Sequence, residues 1–221
     1  MRIALDGPSG AGKSTVAKAL AKKLGIIYVD TGALYRTVGL FVRNNGVDKE
    51  DTKAVIDLLP KIKLNMEFIN GEQIITLNGE RVGDNIRTGE IAMYASRVSA
   101  IPEVRAFLLE TQRKIAREND VVMDGRDIGT VIIPDAEVKI FMFASPEARA
   151  MRRYKELVQK GEECTYEGVL QDIITRDRND STRETAPAVA AKDAVLLDNS
   201  NLDVDGSVER VIEIIKSKVE I

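Results

Sequence analysis

Eight consecutive residues, Gly7-Pro8-Ser9-Gly10-Ala11-Gly12-Lys13-Ser14, fill every position of the pattern G-x-x-x-x-G-K-[ST]. Glycines at these positions let successive backbone N–H groups converge on an anion, and a helix that follows adds the positive end of its dipole. Lys13 then reaches the β- and γ-phosphates of a triphosphate, and the Ser14 hydroxyl holds Mg²⁺. The stretch from Gly7 through Thr15 is accordingly the candidate ATP phosphate-binding segment. It lies between an apolar run, Ile3-Ala4-Leu5, and a helical pattern that begins near Lys13, which is the context the chemistry needs.

Arginines supply the next signal. Arg149, Arg152 and Arg153 share one helix face by their spacing, and Arg176, Arg178 and Arg183 are interleaved with Asp177 and Asp180. Taken singly, Arg149 and Arg178 read as members of a solvated, ion-paired surface. The segment as a whole is poor in lysine, and the planar guanidinium fork matches phosphate oxygens, so a mobile arginine-bearing lid is expected. Asp124-Gly125-Arg126-Asp127, with Gly129, ends another apolar run. Asp124 is placed as a magnesium-side carboxylate, directly or through water, although an ion pair capping a turn also accounts for charges there. Asp30-Thr31-Gly32 opens a helix that carries Arg36 one turn in. Helix capping explains Asp30 but leaves Arg36 to meet a second anion.

These residues need a scaffold that delivers them to one edge. Five apolar runs, at Ile3–Leu5, Ile26–Val29, Val121–Met123, Val138–Ala144 and Ala194–Leu197, alternate with helical patterns. Such alternation indicates an α/β fold with a five-stranded parallel sheet covered on both faces, its functional residues at the strand C-termini. Between about residues 61 and 82 the period shortens to two, with Asn70-Gly71 and Asn78-Gly79 as turns, which predicts an antiparallel β insertion. Ser145 and Pro146 start a helix as N-cap and N1, and apolar residues at 208, 211, 212, 215 and 219 describe a C-terminal core helix.

The chain has 221 residues, a formal net charge of −3, one cysteine and no histidine. The charge argues against a nucleic acid polymer as partner. The lone Cys164 cannot form an internal disulfide, and the absence of histidine removes His-based acid–base catalysis and His metal sites. No apolar stretch approaches a membrane span and the N-terminus runs directly into a strand, so a cytoplasmic protein without a membrane partner is expected.

Together, Gly7–Ser14, Asp30-Thr31-Gly32-Ala33-Leu34-Tyr35-Arg36, Asp124-Gly125-Arg126-Asp127-Ile128-Gly129-Thr130 and the Arg-Asp-x-x-Asp-x-x-Arg run at 176–183 resemble the bacterial cytidylate kinases, from Arg2 to the last helix. The resemblance implies a three-layer P-loop kinase fold with a helical lid. It divides the chain into core (1–30, 98–148 and 186–221), a nucleoside monophosphate-binding region with the β insertion (31–97) and the lid (149–185). It implies Mg²⁺-dependent transfer of the γ-phosphoryl group of ATP to CMP or dCMP by a monomer. Lys13, Arg126, Arg176 and Arg183 are then the catalytic residues. Thr31, Arg36 and Arg126 contact the acceptor phosphate; Ser96, Arg105 and Asp127 read cytosine; Arg176 and Asp180 contact the ribose, and Arg183 reaches the phosphates. Without the resemblance, Ser96 reads as helix surface and Arg105 as an ordinary first-turn residue after Pro102. Two other readings stay open at this point: a kinase for UMP, AMP or dTMP, and a nucleotide-gated binding protein.

Overall fold

A computed structural model of the protein describes residues 1–220. In chain order its first half comprises β1 (Arg2–Asp6), α1 (Lys13–Leu24), β2 (Ile27–Asp30), α2 (Thr31–Asn44), α3 (Thr52–Leu58), β3 (Leu64–Ile69), β4 (Glu72–Leu77), β5 (Glu80–Arg81) and α4 (Gly89–Val98). There follow α5 (Pro102–Glu118), β6 (Val121–Gly125), β7 (Val138–Phe143), α6 (Pro146–Gln159), α7 (Tyr166–Thr182), β8 (Val195–Asp198) and α8 (Val204–Lys216). The chain forms two compact units, one of Met1–Ile26 with the chain from Asp120 onward, the other of Ile27–Asn119.

The expected five-stranded sheet is present, in the order β2-β6-β1-β7-β8. β1 runs parallel to both β6 and β7, and β7 parallel to β8. Because β1 is central, Ile3, Ala4 and Leu5 are wholly buried, which is why its sequence is continuously apolar rather than alternating. The register sets Asp6 opposite Gly125 and Phe141, so the loops after β1 and β6 leave from adjacent strand ends. α1 buries Val16, Ala17, Leu20 and Ala21 and stops at Gly25, whose N–H bonds Ala21 O. α8 begins earlier than its apolar residues indicate, because Asp203 caps it by accepting from Gly206 N at 2.8 Å. Ser145 caps α6 through Ala148 N, with Pro146 at N1. α6 and α7 close on a small cluster of Ala150, Val169 and Ile173, with Tyr154 and Tyr166 edge to face at 6.3 Å.

In the second unit the predicted meander is a three-stranded antiparallel sheet, β3-β4-β5. Asn70 (φ 53°) and Gly71 (φ 80°), and again Asn78 (φ 52°) and Gly79 (φ 91°), have positive φ at both central turn positions. That is the turn whose twist suits a tight hairpin and for which Asn-Gly is preferred. α2 packs on α4 through a glycine: a Cβ on Gly39 would stand 3.0 Å from Ala95 N and from Tyr94 Cβ. The core of this unit, including Leu34, Val38, Ile91 and Val98, forms around that crossing.

Candidate active site

The loop between β1 and α1 is held tightly. Gly7 has φ 149°, and a Cβ there would fall 1.9 Å from Met142 O, so no other residue fits against β7. α1 opens at Lys13 with no side-chain cap, which leaves the helix N-terminal N–H groups for an anion. The Lys13 ammonium is buried and arches back to donate to Pro8 O at 2.7 Å. Burial and the neighbouring Arg126 push its pKa well below the usual lysine range, and a bound polyphosphate would reverse that push.

Two side chains whose partners are remote in sequence secure the same loop. Arg149, expected on a solvated surface, is only 2% exposed. It donates from Nη1 to Ser9 O at 2.9 Å and from Nε to Ala144 O at 2.9 Å, and grips Asp177 through both terminal nitrogens at 3.1 and 2.5 Å. The ion pair is thus an internal tie from α6 to α7 and to the loop. Asn199, beyond β8, donates from Nδ2 to Ala11 O at 2.9 Å.

At the end of β6 the Ser14 hydroxyl donates to Asp124 Oδ2 at 2.8 Å, with Asp124 buried. A hydroxyl and a carboxylate therefore stand side by side at the start of α1. Next to them, the Asp6 carboxyl accepts from Ile128 N at 2.7 Å and Gly129 N at 2.8 Å. Burial raises its pKa to about 6 despite those two hydrogen bonds. Asp6 thereby anchors the loop carrying Arg126 and Asp127, which continues into a single wide turn closed by Ile133 N donating to Ile128 O at 2.8 Å. Asp127 heads that turn and is 3% exposed.

Arg126 donates from Nε to Asp180 Oδ2 at 3.1 Å, so two residues assigned by resemblance to phosphate and ribose meet each other here. Arg176 and Asp180 lie on α7, and Arg183 immediately follows it, its Nε donating to Ala186 O at 2.7 Å. A cavity of about 370 Å³ opens beside the loop, lined among others by Pro8, Phe141, Arg149, Asp177 and Asp180.

In the second unit, Asp30 does more than cap α2. Its Oδ1 accepts from Ala33 N at 2.9 Å while its Oδ2 accepts from Arg36 Nη2 at 2.7 Å. Arg36 Nε is buried and has no hydrogen-bond partner, leaving one donor of the fork uncommitted; Thr31, the first residue of the same helix, is buried. Arg105 is buried rather than an ordinary first-turn residue; it donates from Nη1 to Ser99 O at 3.0 Å, and its guanidinium stands 5.4 Å from the centre of the Tyr35 ring. Ser96, half-buried on α4, receives the Ser99 hydroxyl on its carbonyl at 2.9 Å. Ser99 thus links the Ser96 carbonyl to Arg105, which in turn stands over the Tyr35 ring.

Comparison with known proteins identifies the family. The family model for cytidylate kinase matches residues 3–217. The chain is 50% identical to a cytidylate kinase of Thermosipho melanesiensis over 221 residues, covering 100% of this chain and 99% of the relative. It is 48% identical to the cytidylate kinase of Carboxydothermus hydrogenoformans over 221 residues, covering 100% of both. In fold it is similar to the crystal structure of a shikimate kinase from Bacteroides thetaiotaomicron, with a TM-score of 0.50 at 15% identity over 98% of each chain. With the phosphate loop, the Ser14–Asp124 pair and the arginine-bearing helices in place, and with relatives matched end to end, the chain belongs to the cytidylate kinase family.

Proposed function

We propose that the protein transfers the γ-phosphoryl group of ATP to CMP or dCMP, giving ADP and CDP or dCDP. The family match over residues 3–217 carries this reading. The chemistry suits the chain: the acceptor is a phosphate oxygen already ionised at neutral pH, so a protein without histidine lacks nothing the reaction needs. Catalysis then rests on positioning and on neutralising charge.

The Gly7–Thr15 segment would cradle the ATP phosphates, with Lys13 leaving Pro8 O for a phosphoryl oxygen. Ser14 and Asp124 would hold Mg²⁺, Asp124 directly or through water. A hydroxyl and a carboxylate 2.8 Å apart are hard oxygen donors suited to that ion. Among the described residues no group of three or more acidic, cysteine or histidine side chains could hold a metal alone, so phosphate oxygens and water would complete the shell. Bound there, Mg²⁺ neutralises charge on the phosphoryl oxygens.

Thr31, Arg36 and Arg126 receive the acceptor phosphate in this reading, and the uncommitted Nε of Arg36 supports it. Ser96, Arg105 and Asp127 read the base: a carboxylate accepts from the N4 amino group of cytosine, whereas uracil offers an acceptor at that position. Arg176 and Asp180 contact the ribose, and Arg183 reaches the phosphates as residues 149–185 close as a lid. Asp180 would release Arg126 on exchanging it for the ribose. The protein acts as a cytoplasmic monomer in this account.

A coupled assay of ADP release with CMP, dCMP, UMP, AMP and dTMP in turn tests the proposal. CMP and dCMP should support the fastest turnover. A different best acceptor would reassign the substrate, and ATP turnover independent of acceptor would favour a nucleotide-gated binding protein.

A further inference from the structure

The β insertion reaches the candidate acceptor site through Gln73. Gln73, half-buried on β4, lies opposite Phe68 in the hairpin register. Its Oε1 accepts from Asp30 N at 2.7 Å, and its Nε2 donates to Asp30 O at 3.1 Å. One side-chain amide thus satisfies both polar groups of the Asp30 backbone, at the point where β2 ends and α2 begins. The reverse orientation of the amide would set donor against donor and acceptor against acceptor, so both bonds stand or fall together.

Asp30 is the residue whose carboxylate is divided between Ala33 N and Arg36 Nη2. Rotation of its backbone would swing the carboxylate, and Arg36 would follow. We propose that Gln73 is a positioning residue for the acceptor phosphate. By fixing the Asp30 backbone it sets the direction of the Asp30 carboxylate, and so holds the uncommitted Nε of Arg36 toward the phosphate. The insertion on this view is part of the acceptor-binding machinery. This rests on the reading that Arg36 binds the acceptor phosphate.

The test uses steady-state kinetics of the full-length protein with ATP and CMP, on Gln73→Met, Gln73→Glu and Arg36→Ala. Met keeps the bulk and loses both hydrogen bonds, which corresponds to about a tenfold change. The expected result is an approximately tenfold higher KM for CMP, with kcat and the KM for ATP within about twofold of the parent. Glu keeps the acceptor for Asp30 N and regains a donor only when protonated. At pH 7.5 its carboxylate is ionised and faces Asp30 O with like polarity, so its KM for CMP should rise at least as much as that of Gln73→Met.

If Arg36→Ala raises the KM for CMP but Gln73→Met leaves it unchanged, the positioning role is wrong and the acceptor site stands. If neither variant moves it, the acceptor reading fails, and this inference with it. A rise in the KM for ATP as well as for CMP, together with a fall in kcat for Gln73→Met, would mean that Gln73 only supports the fold, which also overturns the proposal.

Discussion

Asp6 should give the protein a pH-dependent stability of unusual sign. Its carboxyl is 3% exposed and faces two backbone N–H groups, yet burial lifts its pKa from an ordinary 3.8 to about 6. A carboxyl with a raised pKa binds its proton more tightly in the folded than in the unfolded chain. Its contribution to stability is therefore full below pH 3.8 and is lost as the pH rises through 6. Asn at this position keeps the shape, titrates nowhere in that range, and sets an amide N–H against a backbone N–H. Linkage makes the parent's advantage over Asp6→Asn grow by about 1.4 kcal/mol between pH 7.5 and pH 5, and by about 3 kcal/mol in full. Carboxylates such as Asp135, Glu137 and Glu156, held below their ordinary pKa by nearby Arg or Lys, act in the opposite sense, but equally in both proteins, and cancel in the difference. Urea unfolding of the ligand-free parent and variant at pH 5, 6 and 7.5 measures it. A difference that stays flat across this range, or that shrinks toward pH 5, would refute the reasoning.

Three further substitutions test other parts of the account. Lys13→Met should lower kcat by about 10²–10³, the scale of losing one preorganised charge donor, while leaving Tm within a few degrees; a change below tenfold would remove Lys13 from the chemistry. Asp127→Asn should reduce the preference in kcat/KM for CMP over UMP by about 10–100-fold, since the amide can donate to uracil, and an unchanged ratio would end its role as base reader. Asp177→Ala leaves the Arg149 guanidinium buried without its carboxylate and should destabilise the first unit by about 3 kcal/mol by denaturant unfolding. A loss under 1 kcal/mol would mean that Ser9 O and Ala144 O suffice to hold Arg149.

The parts of this molecule legible in its sequence are those governed by local periodicity and turn chemistry. β1 and β6 announce themselves because burial on both faces demands unbroken apolar runs, and the β3–β4–β5 meander because two Asn-Gly pairs fit turns with positive φ. The phosphate loop is legible for the same reason: its mechanism needs a fixed spacing. Asp6, Gln73, Arg149 and Asn199 were not singled out as ties. Each is a buried or half-buried polar group whose partner lies far along the chain, at Ile128, Asp30, Ser9 and Ala11 respectively. Arg149 is ambiguous in sequence, because the i, i+3, i+4 spacing of arginines fits a solvated helix face as well as one turned inward. Asp6 offered one clue, an acid at the buried end of the central strand immediately before Gly7. The cytosine-reading assignments of Ser96 and Arg105 came from family resemblance alone, since a serine in mid-helix and an arginine near a helix start carry no signature of their own.

Phosphorus NMR of ATP and CMP incubated with the protein and Mg²⁺ follows the transferred group itself. The γ-phosphorus signal of ATP should fall in step with the appearance of the β-phosphorus signals of CDP and ADP, with no inorganic phosphate. Inorganic phosphate in place of CDP, or an unchanged spectrum, would contradict transfer of the group to CMP.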